Sequence, residues 1–342
     1  MTSINQAYRR TDIIMPKRNP WYDAAKPHHT PSGFRNLEPS IRNADAFKRW
    51  RRERKESGFP RAPQGGYDAF VERWWQRADF SGAEDAIWWL GHACLVMRIA
   101  GKYVLIDPAL GPRASPLPFV GPKRKTPLAA DIADLPDIDL IVYSHNHYDH
   151  LDRSSLRRLL RRFPTVQVVT PLGMGDWLKK HGVRAVEECD WWDSLDFAGI
   201  RLHCVPARHW SMRSLRDRNR SLWSGWVVDA GDWRFYFSGD SGYTDELTEI
   251  GRRLGPFDIA ALPIGAYAPE WFMGESHMSP TSAVKFYQQL QCPRVIPIHW
   301  GVFELADEAL DEPPLELQQA LDKAGIAEHQ FTPLKIGSKI KI

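Results

Sequence analysis

Apolar positions fall into two regimes along the chain. Up to about residue 80 they are sparse and interrupted by proline, and from Ala86 they form short dense runs separated by polar turns. Ile87 to Leu90, Cys94 to Ile99 and Lys102 to Ile106 read as three successive strands. Ala100-Gly101 is the tight turn between the last two, and Asp107-Pro108 ends the third. Ile138 to Tyr143 is an apolar run of strand length, interrupted only by Asp139, as expected of a buried strand. Val166 to Val169, Ile200 to Val205 and the stretches 223–229, 233–238, 258–263 and 294–296 extend the series. Helix patterns lie between them. Asp152 is a good N-cap for a helix through Arg162, with Leu156, Leu159 and Leu160 facing inward and four arginines facing solvent. Asp176 to Lys180 is a short helix closed by Gly182. Thr244 caps a helix to Leu254, with Asp245 and Glu246 favourably placed in its first turn. Ser279-Pro280 puts an N-cap and then proline at a helix start, and that helix runs to Leu290. The last helix is Leu315 to Ala324, stopped by Gly325. Two strand-rich halves, each with helices, predict an α/β fold: two sheets packed face to face with helices outside.

The first eighty residues look different. Pro16, Pro20, Pro27, Pro31 and Pro39 break residues 1–40, which read as an extended arm, lying on the surface or loosely ordered. Residues 41–56 read as a helix, with Ile41, Ala44, Phe47 and Trp50 at helical spacing and Lys48-Arg49-Trp50-Arg51-Arg52 as a basic face. Gly58 to Gly66 is a turn-rich linker, and Phe70, Val71, Trp74 and Trp75 mark a short amphipathic segment. The expected organisation is a basic, proline-rich extension over residues 1–80 and a main domain over residues 81–342. Residues 1–80 carry 16 Lys and Arg against 9 Asp and Glu, whereas the remainder carries 29 against 33. A basic extension on a slightly acidic domain fits an anionic partner such as a membrane surface, and a solvated arm explains it equally well.

Composition bounds the class. With 43% hydrophobic and 25% charged residues in 342, the chain has the make-up of a globular protein with a sizeable core. No apolar run approaches the ~20 residues of a membrane-spanning helix. Ile13-Ile14-Met15 before Pro16 is too short for a signal-peptide core, so a cytoplasmic location is expected. Cys94, Cys189, Cys204 and Cys292 are scattered without a C-x-x-C pair, which points to reduced thiols rather than a cysteine metal site.

The chemistry concentrates in Ser144-His145-Asn146-His147-Tyr148-Asp149-His150-Leu151-Asp152, just past the Ile138 to Tyr143 strand. In an extended turn His145 and His147 project the same way and reach one ion, and Asp149 and His150 point to a second position close by. Imidazole and carboxylate suit zinc, and also iron or manganese. His209 follows the 200–205 strand, Asp240 the 233–238 strand and His299 the 294–296 strand. Each lies where a sheet presents chemistry from its edge loops. Together these seven residues make the ligand set of a two-metal centre. No P-loop, G-x-G-x-x-G or G-x-S-x-G element is present, so activated water, not a side-chain nucleophile, is the expected attacking group.

The H-x-H-x-D-H run followed by a distant His, Asp and His resembles the metallo-β-lactamase superfamily. Further motifs resemble its N-acylphosphatidylethanolamine-hydrolysing phospholipase D family: Trp89-Leu90-Gly91-His92-Ala93, Gly121-Pro122-Lys123-Arg124, Glu188-Cys189-Asp190-Trp191-Trp192, Pro263-Ile264-Gly265-Ala266-Tyr267, Trp271-Phe272-Met273 and Ile298-His299-Trp300-Gly301. The resemblance covers about Ile87 to Leu334. It implies an αββα sandwich of two mixed sheets. It also implies two Zn2+ per chain, one on His145, His147 and His209, the other on Asp149, His150 and His299, with Asp240 between them. Asp149, His277 and Tyr148 are the expected catalytic residues, His277 aiding the leaving alkoxide and Tyr148 either orienting a phosphate oxygen or packing. His92 is an expected outer partner of the ions rather than a ligand.

The implied activity is phospholipase D-type hydrolysis of an N-acylphosphatidylethanolamine, releasing N-acylethanolamine. Trp210, Trp271, Phe272, Met273 and Met278 beside the proposed ligands suit an apolar mouth for acyl chains. A lactonase or other acyl hydrolase of the same superfamily is the alternative, because both reactions need a polarised oxygen and activated water. A nuclease is disfavoured by the acidic balance after residue 80, and a non-catalytic scaffold by the complete ligand set. A phospholipid substrate, peripheral contact at the membrane inner surface, no nucleic acid and a homodimer complete the expectations.

Overall fold

The computed structural model describes residues 18–43 and 45–342; residues 1–17 and Ala44 lie outside it, and with them the Ile13-Ile14-Met15 run, Pro16 and one position of the first helix pattern. The elements in chain order are β1 (His29–Thr30), β2 (Gly33–Phe34), α1 (Ala46–Ser57), α2 (Gly66–Trp74), β3 (Ala86–Gly91), β4 (Cys94–Ile99), β5 (Lys102–Ile106), β6 (Leu140–Val142), α3 (Arg153–Arg162), β7 (Gln167–Pro171), α4 (Gly175–Lys180), β8 (Ala185–Cys189), β9 (Ser194–Phe197), β10 (Ile200–Val205), β11 (Gly225–Asp229), β12 (Arg234–Phe237), α5 (Thr248–Leu254), β13 (Ile259–Pro263), α6 (Glu270–Met273), α7 (Pro280–Leu290), β14 (Val295–Ile298), α8 (Glu312–Ala324) and β15 (Lys339–Lys341).

Two mixed sheets form an αββα sandwich. One has the order β15-β3-β4-β5-β6-β7-β8 and the other β14-β13-β12-β11-β10-β9. In each, an antiparallel meander passes into parallel strands, β5 to β8 in the first sheet and β12 to β14 in the second. Parallel strands buried on both faces are expected to be apolar throughout, and β6, β13 and β14 are buried at every position. Trp88, Trp89, Trp223 and Trp226 are fully buried, and Trp226 Nε1 donates to the Tyr143 carbonyl at 2.9 Å, tying one sheet to the other. Helix α7 packs on β13 and against α5 and α8, and α4 packs on β8. Asp152 caps α3 through bonds from the Ser154 and Ser155 amides, and Ser279 caps α7 from the Ser282 amide.

Several expectations are corrected. Helix α1 starts at Ala46, not residue 41, because Ser40 and the Ile41 amide are drawn onto Glu275 at 2.6 Å each and hold the chain extended. Thr244 does not cap a helix with its side chain: its hydroxyl donates to Glu38, and a 3-10 turn over Asp245–Leu247 precedes α5. Helix α8 begins three residues before Leu315, with Pro313 and Pro314 in its first turn where no amide donor is needed. Strands β8 and β9 sit at sheet edges with alternating exposure, so no continuous apolar run announced them. The segment expected as an arm is anchored from Asn19 to Arg42: Asn19, His28, His29 and Phe34 are buried, and Lys26, His28 and His29 all meet the Asp190 carboxylate.

Candidate metal centre

The parallel strands deliver the predicted residues to one edge of the sandwich. His145, His147, Asp149 and His150 follow β6, Asp240 follows β12 and His299 follows β14. His209 comes from the loop after the antiparallel strand β10. Gly239 allows the close approach that Asp240 needs, since a Cβ there would lie 2.4 Å from the Ser224 carbonyl oxygen.

All seven predicted ligands converge. His147 Nδ1 lies 2.9 Å from His145 Nε2 and 3.0 Å from His209 Nε2. Asp240 Oδ2 lies 3.1 Å from His150 Nε2 and 3.0 Å from His299 Nε2, while Asp149 Oδ2 lies 3.5 and 3.4 Å from the same two nitrogens. The same Asp240 oxygen is 3.8 Å from both His145 Nε2 and His209 Nε2, so it stands between the two groups.

Outer contacts settle which nitrogen of each ring is free. Ser144 Oγ donates to Asp107 Oδ2 at 2.5 Å, so its 2.9 Å contact with His145 Nδ1 is a bond donated by the imidazole. His209 Nδ1 lies 3.0 Å from the Ser276 carbonyl and His299 Nδ1 3.4 Å from the Gly265 carbonyl, and a carbonyl only accepts. His150 Nδ1 donates to Asp107 at 2.7 Å. Each of these four rings therefore turns Nε2 inward. The buried carboxylates facing these nitrogens call for positive charge, which His150 and His299 supply as protonated rings and which a bound cation would supply in their place. Asp240 Oδ1 and His277 Nδ1 are buried beside them without a hydrogen-bond partner. The donor set fits a transition metal.

Charge follows the same logic. Burial pushes His92, His147 and His209 down to about 3 and His145 and His277 well below the usual range, which leaves neutral rings able to coordinate. Burial also opposes ionisation of Asp149 and Asp240, but His150 and its neighbours overrule it and hold both carboxyls well below their usual range. Burial likewise opposes a proton on His150 and His299, yet Asp240 and Asp149 raise the first strongly and the second to about 9. The positive charge these carboxylates draw onto two rings is the charge a cation supplies.

His277 sits at the open side. Its Nδ1 is 3.9 Å from Asp240 Oδ2, and its ring stacks on His299 with centroids 5.2 Å apart. Tyr148 is directed elsewhere: its hydroxyl donates to the Arg213 carbonyl at 2.7 Å and its ring lies 4.1 Å under the Arg213 guanidinium. The hydroxyl is thus engaged by the Arg213 carbonyl, in keeping with the packing alternative for Tyr148. His92 Nε2 bonds Asp149 Oδ2 at 2.9 Å, as an outer partner should. Met278 is fully buried and Phe272 lies under Trp50, so the apolar mouth reduces to Trp271, which is exposed, the half-buried Met273, and Trp210, whose ring is 4.2 Å from that of His147.

Sequence reading missed Asp107, which it took only as a strand end. The available signal was an acidic residue closing a buried strand, and β5 proves to be the immediate neighbour of β6. Asn36 was also missed: its side chain grips the His209 backbone, and nothing local to residue 36 signals that contact.

The family model described as the beta-lactamase superfamily domain matches residues 102–300. The N-acyl-phosphatidylethanolamine-hydrolyzing phospholipase D 1 of Caenorhabditis elegans is 40% identical over 261 residues, covering 73% of each chain. The mitochondrial enzyme of that activity from Saccharomyces cerevisiae is 33% identical over 72% of this chain, a match that spans about half, 53%, of its own length. In fold, the metallo hydrolase Igni18 from Ignicoccus hospitalis superposes with a TM-score of 0.59 at 20% identity, over 76% of this chain and 99% of its own. Metal-binding geometry, sandwich and relatives agree, and the chain belongs to the metallo-β-lactamase superfamily of metal-dependent hydrolases, within its N-acylphosphatidylethanolamine-hydrolysing phospholipase D-like family.

Proposed function

We propose that this hydrolase is a phosphodiesterase of phospholipase D type that releases N-acylethanolamine from N-acylphosphatidylethanolamine, with two zinc ions as its working metals. The observation that carries the reading is the 40% identity to the nematode enzyme of that name, over 261 residues and 73% of this chain. His145, His147 and His209 would hold one ion, Asp149, His150 and His299 the other, and the Asp240 oxygen between the groups would serve both. Bound ions supply Lewis acidity and bring the pKa of water toward neutrality. Asp107, Ser144, the Ser276 carbonyl and the Gly265 carbonyl keep the imidazoles in the coordinating tautomer. His277, neutral beside Asp240, would take the proton released by the attacking water and pass it to the leaving oxygen.

A peripheral membrane role is part of the proposal. Among the described residues no helix is long and apolar enough to cross a membrane. Helix α1 lies against α6, which ends four residues before His277, with Trp50 stacked on Phe272 at 5.0 Å. Ile41, Phe47 and Trp271 are exposed beside the basic residues Lys48, Arg49, Arg51 and Arg52. An apolar and cationic patch at the mouth of the site suits an anionic bilayer that delivers a lipid substrate. The four cysteines are buried and free, which supports a cytoplasmic location.

The test is one assay panel. Purified protein should release N-acylethanolamine from N-acylphosphatidylethanolamine vesicles, with two zinc ions per chain measured on the same sample. Turnover of lactones without turnover of the phospholipid would assign it to the acyl hydrolases of the superfamily instead.

A further inference from the structure

The segment from Asn19 to Arg42 runs along the ligand-bearing edge of the sandwich, from the connection between β8 and β9 to the metal centre. Its outer end is fixed at Asp190. Lys26 Nζ lies 2.5 Å, His28 Nε2 2.7 Å and His29 Nε2 2.9 Å from that carboxylate. This cluster is an anchor and not a cation site. The Asp23 amide donates to His29 Nδ1, so His29 Nε2 carries the proton it gives to Asp190, and the Lys26 ammonium already occupies one oxygen.

The inner end reaches His209. That residue lies in the irregular loop after β10, where its buried backbone has no strand partner. Asn36 supplies one: its Nδ2 donates to the His209 carbonyl at 2.9 Å, and the His209 amide donates back to Asn36 Oδ1 at 3.2 Å. The same Oδ1 accepts from the indole of the fully buried Trp223 at 3.1 Å, so the clamp is seated on the core. Six residues on, Arg42 Nη2 donates to Ser276 Oγ at 3.0 Å, and the Ser276 carbonyl is the group that fixes the His209 ring.

We infer that Asn36 is a positioning residue for the metal centre, holding the backbone of His209 so that its Nε2 meets the ion, and that residues 19–42 are a strap whose task is to deliver this clamp. The inference rests on His209 being a ligand. A metal–nitrogen bond tolerates displacements of only a few tenths of an ångström. Loss of an outer partner of a ligand costs 10–100-fold in metal affinity as a rule, and Asn36 holds the backbone from which that ligand projects.

The experiment uses the full chain loaded with zinc, and in parallel with cobalt, whose visible spectrum reports coordination. Asn36→Ala should weaken one of two ions by roughly 10–100-fold in chelator competition and change the cobalt spectrum. Asn36→Asp keeps the acceptor for the His209 amide and Trp223 and should recover part of that loss. Arg35→Ala removes an exposed bond within the strap, to the Pro27 carbonyl at 2.8 Å, and should bind both ions as the unaltered protein does. If Asn36→Ala does not fold, Asn36→Asp must still bind more weakly than Arg35→Ala. Unaltered affinity and spectrum in Asn36→Ala, or an equal loss in Arg35→Ala, would overturn the inference. His209→Ala separates the two readings. Lost metal there with unaltered Asn36→Ala removes the clamp alone, and retained metal there removes the ligand reading and the clamp with it.

Discussion

The Asp107 carboxylate lies 2.7 Å from His150 Nδ1, and both side chains are completely buried. Asp107 also accepts the Ser144 amide at 2.8 Å and the Ser144 hydroxyl. One carboxylate therefore sets the tautomer of His150 directly and that of His145 through Ser144. Asp107→Ala removes both controls and should lower metal affinity by roughly 10–100-fold. Chelator competition on the purified variant measures it, and unaltered affinity would show that the rings hold their orientation without Asp107.

Asp240 should matter to both ions. Its Oδ2 lies 3.0–3.9 Å from nitrogens of His299, His150, His145, His209 and His277. Asp240→Ala is expected to lower occupancy at both positions and to abolish turnover. Elemental analysis giving two ions per chain in an active variant would sink the bridging assignment.

His277 lies beside the seven candidate ligands, its Nδ1 3.9 Å from Asp240 Oδ2, and is proposed to act on the leaving group rather than as a ligand. His277→Ala should leave metal content unchanged and cut turnover by roughly 10²–10⁴-fold. A nitrophenyl phosphodiester, whose leaving group needs no proton, should suffer a smaller loss. Equal losses on both substrates would assign His277 to substrate positioning.

Asp190 predicts a pH dependence of stability. Burial opposes its ionisation, but His28 and Lys26 hold its carboxyl well below the usual range. A depressed carboxyl stabilises the fold above the unfolded pKa of about 4, and loses that contribution as pH falls toward the folded pKa. Asp190→Ala should cost about 3 kcal/mol at pH 7, the lower end for a buried network because Lys26 is partly exposed. Thermal melts should show the gap from the unaltered protein narrowing below pH 4. A gap independent of pH would mean that packing, not charge, is what Asp190 contributes.

The exposed face of α1 predicts membrane affinity. Deleting the N-terminal region is a poor test, because the strap within it reaches His209. Joint replacement of Lys48, Arg51 and Arg52 by glutamate leaves the strap intact. Each basic side chain near an anionic surface contributes on the order of 1 kcal/mol, so liposome binding should fall by more than tenfold and grow less salt-sensitive. Activity on a soluble short-chain diester should persist. Liposome binding that ignores both the charges and salt would take this helix out of the membrane contact.

Much of the fold and of the candidate site is written locally in the chain. Strand-length apolar runs ended at His145, Asp240 and His299, because a parallel sheet buries its strands and leaves chemistry to the residues just beyond them. Asp152 and Ser279 announced their helices, since capping is a local bond between a side chain and an amide two or three residues on. Edge strands β8 and β9 escaped because half their positions face water. The ligands' identity was a matter of residue type and spacing. Their partners were not: Asp107 meets His150 from 43 residues away and Asn36 meets His209 from 173. Such pairs join segments whose only relation is that folding brings them together. The sequence by itself determined that this protein gathers imidazoles and carboxylates at the end of a sandwich. Only the tertiary structure decided which nitrogen each ring turns inward, that Tyr148 faces Arg213, and that the proline-rich segment is a strap, because those are set by neighbours distant in the chain.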